Sequence, residues 1–174
     1  MMRLMTAGIL TAALALGACT NPSRFGGDGA GAGVGAGAGA GAGIVPGSAQ
    51  DPTSAAFFQQ SVGDRVLFAV DQSTLTTEGR ATLDAQATWL LTNPDYQAVI
   101  EGHADEQGTR EYNLALGARR ANAAQEYLIS RGVPAQRLRV ISYGKERPIE
   151  ICSNEACYAK NRRAVTVLAG GLTS

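Results

Sequence analysis

The sequence predicts an α+β domain: a two-layer α/β sandwich in the order β-α-β-α-β-β, with helices covering one face of a mixed sheet. Three observations carry this. Four short runs are rich in β-formers, two longer segments repeat apolar residues at helical spacing, and glycine, proline and asparagine punctuate the gaps between them. Setting aside an apolar start and a Gly/Ala-rich stretch leaves about 115 residues, enough for one compact domain at residues 62–170.

RVLFAV (65–70), bounded by Gly63-Asp64 and Asp71, reads as a short buried strand. In TTEGRATLDAQATWLLTNP, Leu83, Ala87, Leu90 and Leu91 fall on one helical face. Thr76 can cap that helix, Glu78 suits its positive end, and Asn93-Pro94 stops it. YQAVIEG is a second strand. A second helix runs from about Thr109 to Arg131, with Leu114, Ala118, Ala121, Gln125 and Leu128 as its inner stripe. Gly132 sits where a left-handed terminating residue belongs, and Pro134 prevents continuation. RLRVISYG and RRAVTVLAG supply the third and fourth strands.

Outside the domain, residues 1–18 form a short apolar run behind one arginine, the pattern of a secretory signal. Leu16-Gly17-Ala18-Cys19 resembles the lipobox of bacterial lipoproteins, which implies lipidation of Cys19 at the mature N-terminus. Thr20 in place of an aspartate implies, by analogy with lipoprotein sorting, the outer membrane, with the domain facing the periplasm. More than one acyl chain is needed for a lasting anchor, each buried CH2 contributing roughly 0.8 kcal/mol. Residues 26–43, GGDGAGAGVGAGAGAGAG, bury almost nothing, so 19–61 reads as a lipidated end and flexible tether. A coil of this kind spans about 35 Å on average and about 140 Å at full stretch.

Formal charge is zero, which gives no argument for nucleic acid as a partner. Eight acids and two arginines lie between Asp64 and Glu106; five acids and eleven Lys or Arg lie between Gln107 and Ser174. Such asymmetry suits a ligand carrying both signs, and solvated faces produce it equally well.

The densest polar chemistry is IEGHADEQGTREYNLALGARRA (100–121), with the one histidine, His103, and the adjacent acids Asp105 and Glu106. One histidine does not make a zinc hydrolase site. No G-x-S-x-G elbow is present for a serine hydrolase, and adjacent carboxylates on a loop point apart, which disfavours glycosidase chemistry. A binding site fits better. Asp105 lies at the mouth of a βα loop, where α/β sheets form crevices. Gly108 permits the turn, and a helix start follows with free N–H groups. Asn113 and Arg120, two turns apart, share a face. A zwitterion would pair with both charges; an Asp–Arg salt bridge and a plain helix cap would use the same residues without ligand.

That stretch closely resembles the central motif of OmpA-like peptidoglycan-binding domains, the peptidoglycan-associated lipoproteins in particular, and ISYGKERP and NRRAV continue the match in order. The resemblance covers roughly residues 62–170. It implies that Asp105 and Arg120, fifteen residues later, hold the diaminopimelate of a stem peptide, Asp105 taking the ammonium and Arg120 the carboxylate. It extends the site to Asn113, to Arg162 with Asn161 beside it, and to the DQSTL loop through Asp71 and Thr74. Charge-assisted hydrogen bonds contribute about 1.5 to 3 kcal/mol each, so a lysine-type stem, lacking the second carboxylate, should bind less well. The implied role is non-enzymatic, with no cofactor or metal: an anchor between outer-membrane lipid and cell wall within the Tol-Pal system, TolB and other Tol proteins as partners, serving envelope integrity and cell division. His103 reads as packing at the strand end.

CSNEAC places Cys152 and Cys157 five positions apart in the loop before the last strand. A disulfide is plausible in an oxidising periplasm; with free thiols the loop would be longer and softer. Two further functional readings remain: a cell-wall hydrolase using Asp105, Glu106 and His103, and a protein-interaction module presenting a basic strip from Arg137 to Arg163.

Overall fold

The computed structural model describes residues 44–170. The signal segment, Cys19 and the Gly/Ala stretch lie outside the described residues. Strands β1 (Arg65–Leu67), β2 (Tyr96–His103), β3 (Leu138–Gly144) and β4 (Arg163–Gly170) form one mixed sheet in the order β1-β4-β2-β3. β2 runs parallel to β3 and antiparallel to β4, and β1 pairs antiparallel with β4. The two long helices, α2 (Thr77–Thr92) and α3 (Arg110–Ser130), cover one face; a three-residue helix, α1 (Ala55–Phe57), precedes them and α4 (Glu155–Asn161) lies before the last strand. The predicted α+β two-layer sandwich is the observed architecture, with α4 added where a loop is expected.

Local chemistry accounts for the ends. Thr76 accepts from Gly79 N at 3.0 Å and Thr109 from Tyr112 N at 3.2 Å, each capping its helix. Gly132, at φ 97°, ends α3 in the left-handed region as its position predicts. At the centre Phe58, Leu83, Leu90, Ile100 and Leu128 are fully buried, each worth roughly 1.5 to 3 kcal/mol of transfer.

Several expectations need correction. Leu91 and Leu114 are 48% and 45% exposed, not inward-facing. The buried stripe of α3 is Asn113, Leu116, Gly117, Arg120, Ala121, Ala124 and Leu128. Its phase is set by a glycine contact: a Cβ on Gly102 of β2 would stand 1.8 Å from the Gly117 carbonyl oxygen. This close approach turns polar Asn113 and Arg120, one turn either side of Gly117, toward the sheet. β1 stops at Leu67 instead of reaching residue 70, because the chain curls: Gln72 N bonds Ala69 O at 3.2 Å and Asp71 adopts φ 55°. The folded unit also begins before residue 62. Trp89 Nε1 donates to Pro52 O at 2.7 Å, Tyr96 Oη donates to Thr53 O at 3.0 Å, and Phe58 lies 4.9 Å from the Trp89 ring. Residues 52–61 thus belong to the folded domain, with Phe58 in its core; the aromatic pair Phe57-Phe58 is the signal in that stretch.

Candidate binding site

The C-terminal end of β2 delivers the chain into the loop Ala104–Thr109, and three contacts fix it. Asp105 Oδ1 accepts from Gln107 N at 3.2 Å, Asn113 Nδ2 donates to Gln107 O at 2.7 Å, and Lys145 Nζ donates to Gly108 O at 2.7 Å. Gly108, at φ 89°, makes the turn that an L side chain would strain. A pocket of about 300 Å3 opens here, lined by Val70, Asp71, Asp105, Gln107, Gly108, Tyr112, Asn113 and Leu116.

Of the residues singled out in the sequence, this pocket brings together Asp71, Asp105 and Asn113. Thr74 is elsewhere, in a cleft between α2 and α3 with Arg80, Glu126 and Arg131. Arg162 is adjacent: its Nη1 lies 3.1 Å from Asp105 Oδ2, its Nη2 pairs with Glu155, and its Nε donates to Phe68 O at 3.2 Å. Burial works against its charge, but hydrogen bonds to Glu155 and then Asp105 hold its pKa above the ordinary arginine value. Asn161 is a structural hub, fully buried: its Oδ1 accepts from Ile149 N and its Nδ2 donates to Glu106 Oε1, both at 2.8 Å.

Arg120 stands differently from the sequence expectation. It is fully buried and does not line the pocket. Its Nε donates to Gln72 O at 2.8 Å, its Nη1 to His103 O at 2.9 Å and its Nη2 to Ala69 O at 3.2 Å. It holds the Ala69–Gln72 curl against the end of β2, with two of its five N–H groups uncommitted. Burial first, and repulsion from Arg162, push its pKa down to about 10, opposed by Asp105 and Asp71.

The pocket also uses a residue that sequence reasoning passed over. Tyr112 Oη donates to Asp71 Oδ1, and that contact raises its phenol pKa. Its place one position before Asn113, at the first turn of a helix opening onto a loop, was the available signal.

The hydrolase reading asks His103, Asp105 and Glu106 to act together, and each is engaged elsewhere. His103 is buried, stacked on Tyr143 at 5.6 Å, with no hydrogen-bond partner on either ring nitrogen. Desolvation, with Arg163 and Arg147 nearby, pushes it down to about 4. Asp105 faces Arg162 and Glu106 faces Asn161. The basic-strip reading also needs correction. Arg137 donates to the carbonyls of Leu90, Asn93 and Tyr96, and Arg163 is 6% exposed, so the ends of the strip are internal braces.

Cys152 and Cys157 form a disulfide, Cα atoms 6.1 Å apart, within the range for such bridges. With Glu150 they bring three donor atoms within 4.8 Å of one another, but the sulfurs are bonded to each other, leaving one carboxylate for any ion. Among the described residues, no helix is long and apolar enough to cross a membrane.

Residues 67–162 match the model of the OmpA family. A peptidoglycan-associated lipoprotein of Rhizobium meliloti is 52% identical over 161 residues, 92% of this chain and 85% of the relative. One from Brucella melitensis is 54% identical over 126 residues, 72% of this chain and 71% of the relative. The crystal structure of the peptidoglycan-associated lipoprotein from Burkholderia pseudomallei superposes with a TM-score of 0.62 at 36% identity, covering 70% of this chain and 98% of that one. The C-terminal domain of Helicobacter pylori MotB shares the fold, with a TM-score of 0.58 at 20% identity over 62% of this chain and 85% of that one.

Proposed function

The chain belongs to the OmpA family, among the peptidoglycan-associated lipoproteins, and from that premise we propose that its pocket binds the peptidoglycan stem peptide through the double-ended side chain of meso-diaminopimelate. The observation that carries this is a small pocket with two carboxylates, Asp71 and Asp105, and an amide, Asn113, backed by the guanidinium of Arg162. Asp105 and Asp71 accept from the ammonium. Arg120 meets the carboxylate once the Ala69–Gln72 curl that its Nε and Nη2 hold opens. Arg162 and Asn161 hold Asp105 and Glu106 in place.

Cys19 carries the lipid in this reading, the Gly/Ala stretch is the tether, and binding without catalysis links the outer membrane to the wall. The chain then serves with TolB and the other Tol proteins in envelope integrity and cell division. Retention on diaminopimelate-type walls tests it. Asp105→Ala should abolish retention while circular dichroism stays native; unchanged retention defeats the site assignment. Muropeptides released by purified protein would favour the hydrolase reading.

A further inference from the structure

The ion pair at the pocket's edge is held from outside. Arg162 is 5% exposed at its side chain, whereas its partner Glu155 is 66% exposed. An acid this open to water holds a partner weakly unless its own backbone is fixed. Glu155 lies in the first turn of α4, a helix of seven residues, too short to persist on its own. Two devices pin that helix. At its far end Asn161 grips Ile149, Glu150 and Glu106. At its near end the disulfide joins Cys152, outside the helix, to Cys157 within it, and the cap residue Asn154 accepts from Cys157 N at 3.1 Å inside the same small ring. Glu155 lies between the two sulfurs in sequence.

We propose that the Cys152–Cys157 disulfide and Glu155 are positioning elements of the binding pocket. The disulfide fixes the first turn of α4, Glu155 fixes Arg162, and Arg162 fixes the Asp105 carboxylate, so opening a bond outside the pocket weakens binding inside it. This rests on the stem-peptide reading of the pocket. Opening takes two electrons and two protons. A dithiol such as dithiothreitol supplies them, becoming its cyclic disulfide and leaving two thiols. Cys152 is half-buried and offers the sulfur for attack. The Cys157 thiol then has an acceptor in Glu150 Oε2, 3.6 Å away.

The test uses the full chain, oxidised or reduced with dithiothreitol, with two readouts. The first is the apparent Kd for diaminopimelate-type walls by sedimentation. Reduction should weaken it about fivefold, the scale of one partly exposed ion pair. Oxidised Glu155→Gln should weaken it as much, and reduction should add nothing further in that variant, since both act through one contact. Cys152→Ser with Cys157→Ser should bind like the reduced protein and ignore dithiothreitol. The second readout is hydrogen exchange of the Arg162 Nε–H, identified by its loss in Arg162→Lys; exchange should quicken on reduction. An unchanged Kd on reduction, or fully additive effects of reduction and Glu155→Gln, overturns the proposal. Should the oxidised protein not bind walls at all, the stem-peptide reading fails. Exchange at Arg162 then decides the positioning alone, faster supporting it and unchanged overturning it.

Discussion

Asp105 and Arg162 face each other at 3.1 Å with side chains 11% and 5% exposed, so the acid at the pocket mouth is already balanced before any ligand arrives. A carboxylate held this way can accept an ammonium without first being desolvated alone. The same burial makes each partner costly to remove. Arg162→Ala should lower unfolding free energy by about 3 kcal/mol, because the Asp105 charge stays behind without compensation. Arg162→Lys should restore only part, since a point charge replaces a fork that also serves Phe68 O. Urea unfolding checks both; a loss under about 0.5 kcal/mol for the alanine variant would mean that the pair is solvated.

Arg120 braces three carbonyls on two segments, those of Ala69, Gln72 and His103. Arg120→Met keeps much of the volume over Phe68 and removes every donor. Of the three acceptors only the His103 carbonyl is buried, and leaving it unpaired costs about 1 to 3 kcal/mol, the part-buried carbonyls of Ala69 and Gln72 adding less. Loss of wall retention is expected with it, as the Asp71 curl loosens. Amide exchange of Asp71 and Gln72 should rise in the variant. Protection equal to the parent's would show that the curl stands without Arg120.

Gly102→Ala should be among the most damaging single-methyl changes in the domain. The added carbon would meet the Gly117 carbonyl oxygen at 1.8 Å, backbone against backbone, which neither strand nor helix can relieve by a rotamer change. Gly47→Ala is the contrast, a surface glycine with open space around it, where the added methyl meets no atom and costs only the strain of a φ of 79°, roughly 1 to 2 kcal/mol. Thermal unfolding should separate them by well over 5 °C; similar midpoints would mean that α3 is free to lift from β2.

His103 predicts a specific acid sensitivity. Its folded pKa is about 4 against 6.5 for the free side chain, so between those values the unfolded chain takes up a proton that the native state refuses. Its contribution is therefore fully present above pH 6.5, falls as pH drops toward 4, and is level below that. The upper bound is on the order of 3 kcal/mol. Burial of the ring is the larger cause of that pKa depression, and Arg163 and Arg147 add to it. The stability gap between the parent and His103→Gln should shrink steadily from pH 7 to pH 4. A gap that stays constant would mean that the ring titrates as it does in water.

Much of this architecture was readable in the chain. Thr76, Thr109 and Gly132 mark helix ends by local chemistry alone, and Asp105 with Asn113 could be placed at one mouth from strand end and helix spacing. What escaped was tertiary. The apolar pattern favoured Leu114 as inward, because nothing local reveals that Gly102 and Gly117 touch and set the phase of α3. Arg120 looked like a free guanidinium since its acceptors, the carbonyls of Ala69, Gln72 and His103, come from a curl no periodicity announces. α4 was hidden by its length: seven residues held by a disulfide and Asn161 show little propensity of their own.

The double-ended recognition of diaminopimelate is tested most directly by sedimenting the protein with meso-diaminopimelate walls and lysine-type walls side by side. The expected result is at least tenfold tighter retention on the diaminopimelate wall, about 1.4 kcal/mol for the second carboxylate, with the preference abolished in Arg120→Met. Equal retention on the two walls, or a preference that survives that substitution, would contradict it.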